Sequence, residues 1–407
     1  MNHILTSATL SREVLIVPTP DSPDPTSLIR ELGGVIKIGE VLGTWESRPD
    51  HETLLAAVTQ KITQVVSAQG PILFGFSAYD AHPQGTDPKE LHAAQKRLRA
   101  QGIAVKRGLG KGRKVRFVTS HEPTLSSVVV ETNKLTGPGI ELVFLLDGQK
   151  LHLGRTIAVQ PFRELGARDY GRPAPDPRGG MLPPKLSQML VNLAGLAQTK
   201  TILDPFCGSG TLLAEAWLMG YRSLIGSDID STAIARTKSN LEWLDPQATH
   251  TVRLIDSGIK QLPAILASGS VDAIVTEPYL GPPLRGNETR EDIEEIERQL
   301  APLFEDMLTS FAALLRPRGV AVVTFPLWAL PSSRAKRSEA WRSPQTFVHA
   351  SILERMKEHG FIFKQSLPTE FITPALASEF GMSGKTLVYG RPDQRVWREI
   401  AILEKIN

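Results

Sequence analysis

Between residues 201 and 325 five short β-rich runs, TILDPF, SLIGSD, VRLIDS, DAIVTEP and GVAVVTF, alternate with helical segments such as TLLAEAWLMG and STAIARTKSNLEWL. Strands separated by helices pair in parallel through right-handed crossovers that cover both faces of the sheet. The C-terminal half therefore reads as α/β, a doubly wound parallel sheet. FIFKQSLPTEF and KTLVYGRP follow without a full crossover helix between them, which predicts an antiparallel pair at one sheet edge. A helix over PPKLSQMLVNLAGLA precedes the first strand, its start set by prolines that only a first helical turn tolerates.

The first half is of another kind. EVLIVP, GGVIKI and ILFGFSAY read as strands, and HETLLAAVTQKITQVV and PKELHAAQKRLRAQG have helical spacing. RKVRFVTS, SSVVVETN and IELVFLLDGQKLHLGRTIAV read as further strands, with a hairpin turn at Asp147-Gly148. The result is an α+β region. QPFRELGARDYGRPAPDPRGGMLPP, rich in Pro, Gly and Arg, reads as a linker. A chain of 407 residues exceeds what one core organises. The expected division is an N-terminal α+β region over 1–160, a linker over 161–184 and an α/β domain over 185–407.

Composition narrows the class. With 41% hydrophobic and 22% charged residues and no apolar run of about 20, no membrane helix is expected. The first residues carry polar and charged groups where a signal peptide needs an apolar stretch, and Cys207 is the single cysteine. A cytoplasmic protein with no disulfide and no metal site is the expectation. The net charge of +3 says less than its distribution. From Lys96 to Arg116 the chain places nine basic residues with no acid between them. Such a run can neutralise the phosphates of a nucleic acid, and Lys106, Arg107, Lys111, Arg113, Lys114 and Arg116 are its candidates for that binding. A solvated basic face explains the run equally well.

Asp204-Pro205-Phe206-Cys207-Gly208-Ser209-Gly210-Thr211 ends the first strand of the α/β half and opens the next helix, where doubly wound folds bind ligands. Gly208 and Gly210 permit a sharp turn and leave amides at a helix N-terminus for an anion. The next strand ends at Asp228, followed by Ile229, and its carboxylate suits a ribose diol; the third ends at Asp256-Ser257, level with an adenine edge. Leu213 stands where a dinucleotide fold needs its third glycine, which argues against NAD. The bland alternative is a tight strand-to-helix connection. Gly381-Met-Ser-Gly384-Lys385-Thr386 suggests a P-loop, but Glu379 fills the place of its first glycine and a strand follows.

The loop from Asp204 to Thr211 resembles the first motif of S-adenosylmethionine-dependent methyltransferases, and Asp228 and Asp256 stand where that family contacts ribose and adenine. After the fourth strand comes Glu277-Pro278-Tyr279. An exocyclic amine is a weak nucleophile, since its lone pair is delocalised into the ring. A carboxylate, a proline-constrained carbonyl and an aromatic plane give it two acceptors and a stacking surface. The run resembles the [Asp/Asn/Ser]-Pro-Pro-[Tyr/Phe/Trp] motif of amino-methyltransferases, with an acid one carbon longer and an aromatic one residue early. The other reading is a surface turn.

Taken together, the catalytic half resembles the archaeal and eukaryotic tRNA guanine-N2-methyltransferases. The carrying residues are the loop at 204–211, GSDID at 226–230, VDAIVTEP at 271–278, VYGRPDQRVWREI at 388–400 and MLPPKLSQMLVNLAG at 181–195. FGFSAY, LSSVVVETNKL and GQKLHLGRT resemble a THUMP arrangement more weakly. The resemblance implies a Rossmann-like methyltransferase sheet behind a THUMP-like RNA-binding domain. It implies S-adenosylmethionine as cofactor, with Pro183 beside it, and tRNA as partner, an accessory subunit being compatible. Two other readings stay open: a DNA or rRNA amino-methyltransferase, and a non-catalytic RNA-binding protein that kept the fold.

Overall fold

The computed structural model describes residues 8–11, 13–19, 24–66, 69–110, 112–176, 181–330, 346–364, 385–390 and 394–406. Its contacts fall into two units, Met1–Glu164 and Leu165–Asn407.

In the first unit β1 (Thr9–Leu10) and β2 (Leu15–Ile16) form a small antiparallel ribbon. The remaining elements follow in order: α1 (Pro25–Glu31), β3 (Lys37–Trp45), α2 (His51–Val65), β4 (Ile72–Asp80), α3 (Pro88–Leu109), β5 (Val115–Val118), α4 (Ser127–Thr132), β6 (Ile140–Asp147) and β7 (Lys150–Val159), with α5 (Phe162–Tyr170) running across the division between the units. Three helices start on aspartates: the carboxylates of Asp24, Asp50 and Asp87 accept from amides of the first turn. The five-stranded sheet has the order β3-β7-β6-β4-β5, with β4 parallel to both β5 and β6 and the other pairs antiparallel.

That topology corrects one expectation. SSVVVETN reads as a strand, yet Ser127–Thr132 is helical. The chain must carry β5 back past β4 to a parallel β6, which needs a crossover, and the Ser126 hydroxyl caps the helix by accepting from the Val129 amide. Three consecutive valines favour a strand by propensity, which the crossover overrides in a short helix that buries Val130. Helix α5 likewise occupies part of the segment read as a linker. Inside the sheet the fully buried Glu141 accepts from Ser77 (2.5 Å), Thr156 (2.6 Å) and Lys37 (2.5 Å), joining four strands in one satisfied network.

The second unit continues with α6 (Pro184–Ala194), β8 (Thr201–Asp204), α7 (Thr211–Leu218), β9 (Ser223–Asp228), α8 (Ser231–Leu244), α9 (Pro246–Thr251), β10 (Arg253–Asp256), α10 (Leu262–Ile265), β11 (Val271–Thr276) and α11 (Arg290–Leu314). Then come β12 (Leu315–Leu330), β13 (Thr346–His349), β14 (Phe361–Phe363), β15 (Thr386–Tyr389) and β16 (Val396–Lys405). The main sheet runs β10-β9-β8-β11-β12-β16-β14, parallel from β10 to β12 and antiparallel beyond; β13 pairs with β12 and β15 with β16. Both faces are buried. Ala273 and Val275 pack with Leu186, Leu190 and Val191 of α6, and Ile274 packs with Phe304, Met307 and Phe311 of α11.

The edge differs from expectation. The strands within FIFKQSLPTEF and KTLVYGRP do not pair with each other; both pair with the edge of β16 away from β12, and the spacing does not mark β16 as a strand. Residues 365–384 and 391–393, on which parts of those runs and of the P-loop-like stretch fall, lie outside the described residues.

Candidate active site

The order reverses between β8 and β11: from β8 the chain winds through β9 to β10, then returns to β11 on the other side. Crevices at such switch points, beyond the carboxyl ends of the strands, are where open α/β sheets bind ligands. The tips of β8 and β11 are locked together. Thr276 Oγ1 donates to Asp204 Oδ1 (2.6 Å), which also accepts from the Phe206 amide (3.2 Å). Asp204 is 3% exposed, and burial pushes its carboxyl up to about 7 against these two hydrogen bonds.

The loop from Asp204 to Gly210 is fixed from three sides. The Cys207 amide donates to the Ser227 carbonyl (2.9 Å) and the Gly208 amide to Asp228 Oδ2 (2.9 Å). Asn240 Nδ2 donates to the Ser209 carbonyl (2.8 Å), and Arg172 Nη1 to the hydroxyls of Ser209 (3.1 Å) and Thr211 (2.5 Å). Gly208 and Gly210 have φ of +54° and +82°, and a Cβ on Gly210 would meet Thr237 Cγ2 at 2.7 Å, so both turn and packing demand glycine. Helix α7 then starts without a side-chain cap, leaving its positive end for an anion. The Cys207 thiol is buried, and that burial holds it protonated, so it is no nucleophile.

Beside this loop lie the ends of β9 and β10. Asp228 and Asp256 are register partners at the ends of β9 and β10, and the Ser257 amide donates to the Asp228 carbonyl (3.0 Å). Each Asp228 oxygen accepts one amide, from Gly208 (2.9 Å) or Asp230 (3.0 Å), and keeps a lone pair for a diol. Ile229 is 81% exposed, an apolar side chain on open surface beside Gly258. Pro183 occupies the N-cap of α6 and Pro205 is buried at the base of the loop.

Across the switch point, Pro278 is buried and Tyr279 is 55% exposed. Glu277 has a partner that sequence reasoning misses. Arg398, on β16, donates from Nε to Glu277 Oε2 (2.5 Å) and from Nη2 to Oε1 (2.9 Å), both side chains largely buried. The signal lay in VWREIAIL, a β-rich run that begins inside the family-like stretch at 388–400. The basic residues of the first unit fall at the end of α3 and at β5. Lys106 and Arg107 end α3, Lys114 and Arg116 are exposed at the edge strand β5, and Arg113 donates to the Gly70 carbonyl (2.8 Å). Lys111 lies outside the described residues.

Residues 172–355 match the family described as RMKL-like, methyltransferase domain. The tRNA (guanine(10)-N2)-dimethyltransferase of Methanothermobacter thermautotrophicus is 38% identical over 28% of this chain and 32% of its own length. A protein of Methanothermococcus thermolithotrophicus, named as a probable tRNA (guanine(10)-N2)-dimethyltransferase, is 36% identical over 30% of this chain and 74% of its own length. The chain belongs to the tRNA guanine-N2-methyltransferase family. It matches about a third of the length of the Methanothermobacter protein and of its Methanocaldococcus jannaschii counterpart. The crystal structure of TrmN from Thermus thermophilus, 17% identical, shares the fold over 96% of this chain and 89% of that one, with a TM-score of 0.51. In this member of the tRNA guanine-N2-methyltransferase family, Glu277-Pro278-Tyr279 follows the tip of β11, which is bonded to the tip of β8 where the glycine loop begins.

Proposed function

We propose that this chain transfers a methyl group from S-adenosylmethionine to the exocyclic N2 amine of guanine in tRNA. The observation that carries the reading is the meeting, at one switch point, of a ribose-ready carboxylate on β9 with an acid, a proline and an exposed tyrosine at the tip of β11. The residues fit the cofactor: Asp228 would take the ribose hydroxyls, Ile229 and Ser257 the adenine, and the uncapped start of α7 the amino-acid carboxylate. When bound, the sulfonium group supplies an electrophilic methyl.

The chain's own residues prepare the acceptor. Tyr279 offers a plane for the base, which must leave its stack to reach it. Glu277 and the Pro278 carbonyl accept hydrogen bonds from the amine, drawing density from its N–H bonds as positive charge develops on nitrogen. The Arg398 guanidinium holds the carboxylate at the tip of β11, where it orients the amine. The exposed Lys106, Arg107, Lys114 and Arg116 supply phosphate contacts from the first unit. Among the described residues no helix is long and apolar enough to cross a membrane.

Incubation with methyl-labelled S-adenosylmethionine and bulk tRNA, rRNA or DNA tests the reading. Label in tRNA, mapped by mass spectrometry to N2 of guanine, is the expected result; label in DNA alone, or in none of the three, overturns it. Asp228→Ala should weaken S-adenosylhomocysteine binding by roughly tenfold or more, since each hydrogen bond to a charged group contributes about 1.5–3 kcal/mol. Calorimetry showing unchanged affinity removes Asp228 from the cofactor site.

A further inference from the structure

Glu277 and Arg398 come from strands that do not touch. β11 and β16 pair with opposite edges of β12, which runs beyond the end of β11; Thr276 is level with Val323, and Arg398 with Pro326. An arginine is long enough to span that gap, and both arms of its fork are used on one carboxylate. We infer that Arg398 is a positioning residue for methyl transfer, holding the Glu277 carboxylate at the tip of β11 as a fixed, charged hydrogen-bond acceptor. The inference rests on the proposed reaction.

The neighbours of Arg398 make it a rigid arm. Trp397 is buried with Leu327, Ala329 and Val388, and its ring lies so close to Gly390 that a Cβ there would meet it at 2.2 Å. Glu399 is buried too, accepting from Thr386 Oγ1 (2.8 Å) and lying 2.7 Å from His349 Nδ1. Successive side chains of a strand alternate in direction, so pinning 397 and 399 on one face fixes where 398 points on the other. The loop after Glu277 is held by the same segment: a Cβ on Gly286 would meet the Arg395 guanidinium at 2.0 Å, and the Gly286 amide donates to Glu288 (2.7 Å). Only part of the carboxylate's capacity is consumed. A side-on guanidinium takes one lone pair from each oxygen and leaves another for an amine N–H. A glutamate has one more rotatable bond than the aspartate of the related motif; the guanidinium removes that freedom before substrate arrives.

The test uses the full chain with Arg398→Gln, Arg398→Lys and the charge-reversed pair Glu277→Arg/Arg398→Glu. Single-turnover methylation, KM for tRNA, S-adenosylhomocysteine affinity and melting temperature are read on each. Arg398→Gln should lower the methylation rate by about 10²-fold, the scale of a small misplacement of a reacting group, with cofactor affinity and KM little changed. Arg398→Lys should recover part of the rate, because it retains the charge but loses the fork, and it serves as the folded variant if the Gln chain does not fold. The reversed pair should regain melting temperature without regaining turnover. Wild-type turnover in Arg398→Gln, or turnover returning with stability in the reversed pair, overturns the assignment and leaves a purely structural ion pair. Absence of label with the wild-type chain instead removes the reaction itself, and this assignment with it.

Discussion

Replacing Glu277 by Gln is expected to lower methyl transfer by about 10²- to 10³-fold, the usual cost of losing one preorganised electrostatic group, while cofactor affinity stays within about twofold. The amide keeps the shape of the side chain and one acceptor oxygen. It loses the charge that opposes the positive nitrogen of the transition state, and its NH2 faces the Arg398 donors that the carboxylate accepted. Stability should fall too. Removing one partner of a buried pair leaves an uncompensated charge, at about 3 kcal/mol, and Arg398 is 14% exposed. Combining Glu277→Gln with Arg398→Met separates the effects, since the melting temperature should recover and the rate should not. A Glu277→Gln rate within tenfold of wild type would sink the role given to this carboxylate.

The second large effect is a pH dependence of stability centred on Asp204. Its carboxyl titrates at 3.8 when unperturbed, whereas in the folded chain burial raises it to about 7. Between those values the native state binds a proton that the unfolded chain has released. Stability from this group is therefore present at low pH and is lost as pH climbs through about 7, amounting to about 4 kcal/mol over the interval at roughly 1.4 kcal/mol per unit. Asp204→Asn keeps an oxygen to accept from Thr276 and Phe206 and carries no titrating proton. Melting curves from pH 5 to pH 8 should show the variant gaining on wild type as pH rises. Parallel curves across that range would mean that Asp204 is ionised throughout.

Much of the donor side is legible in the sequence because it is local. The turn at Gly208 and Gly210, the strand ending at Asp228 and the alternation of strand and helix each occupy a few consecutive residues, and period and glycine placement report them directly. The acceptor side is not local. Arg398 lies 121 residues from Glu277, on an antiparallel strand whose place beside β12 is decided by pairing across the sheet. The valines at 128–130 fail for a related reason: whether they extend or coil depends on β6 having to lie parallel to β4. The basic run shows a third limit. Charge order in the chain does not reveal that Arg113 is spent on the Gly70 carbonyl while Lys114 and Arg116 face solvent.

The reversal of strand order has an evolutionary corollary. On the proposed reading, the residues for the donor lie on one flank of the sheet, β8 to β10, and those for the base at the tip of β11 on the other, with Arg398 of β16 behind them. Mutations accumulating on the second flank can therefore retune which nucleotide is modified without disturbing the currency the enzyme consumes. Exchange of the β11 tip together with residues 395–398 between relatives is the smallest graft that would move a nucleotide preference as a unit.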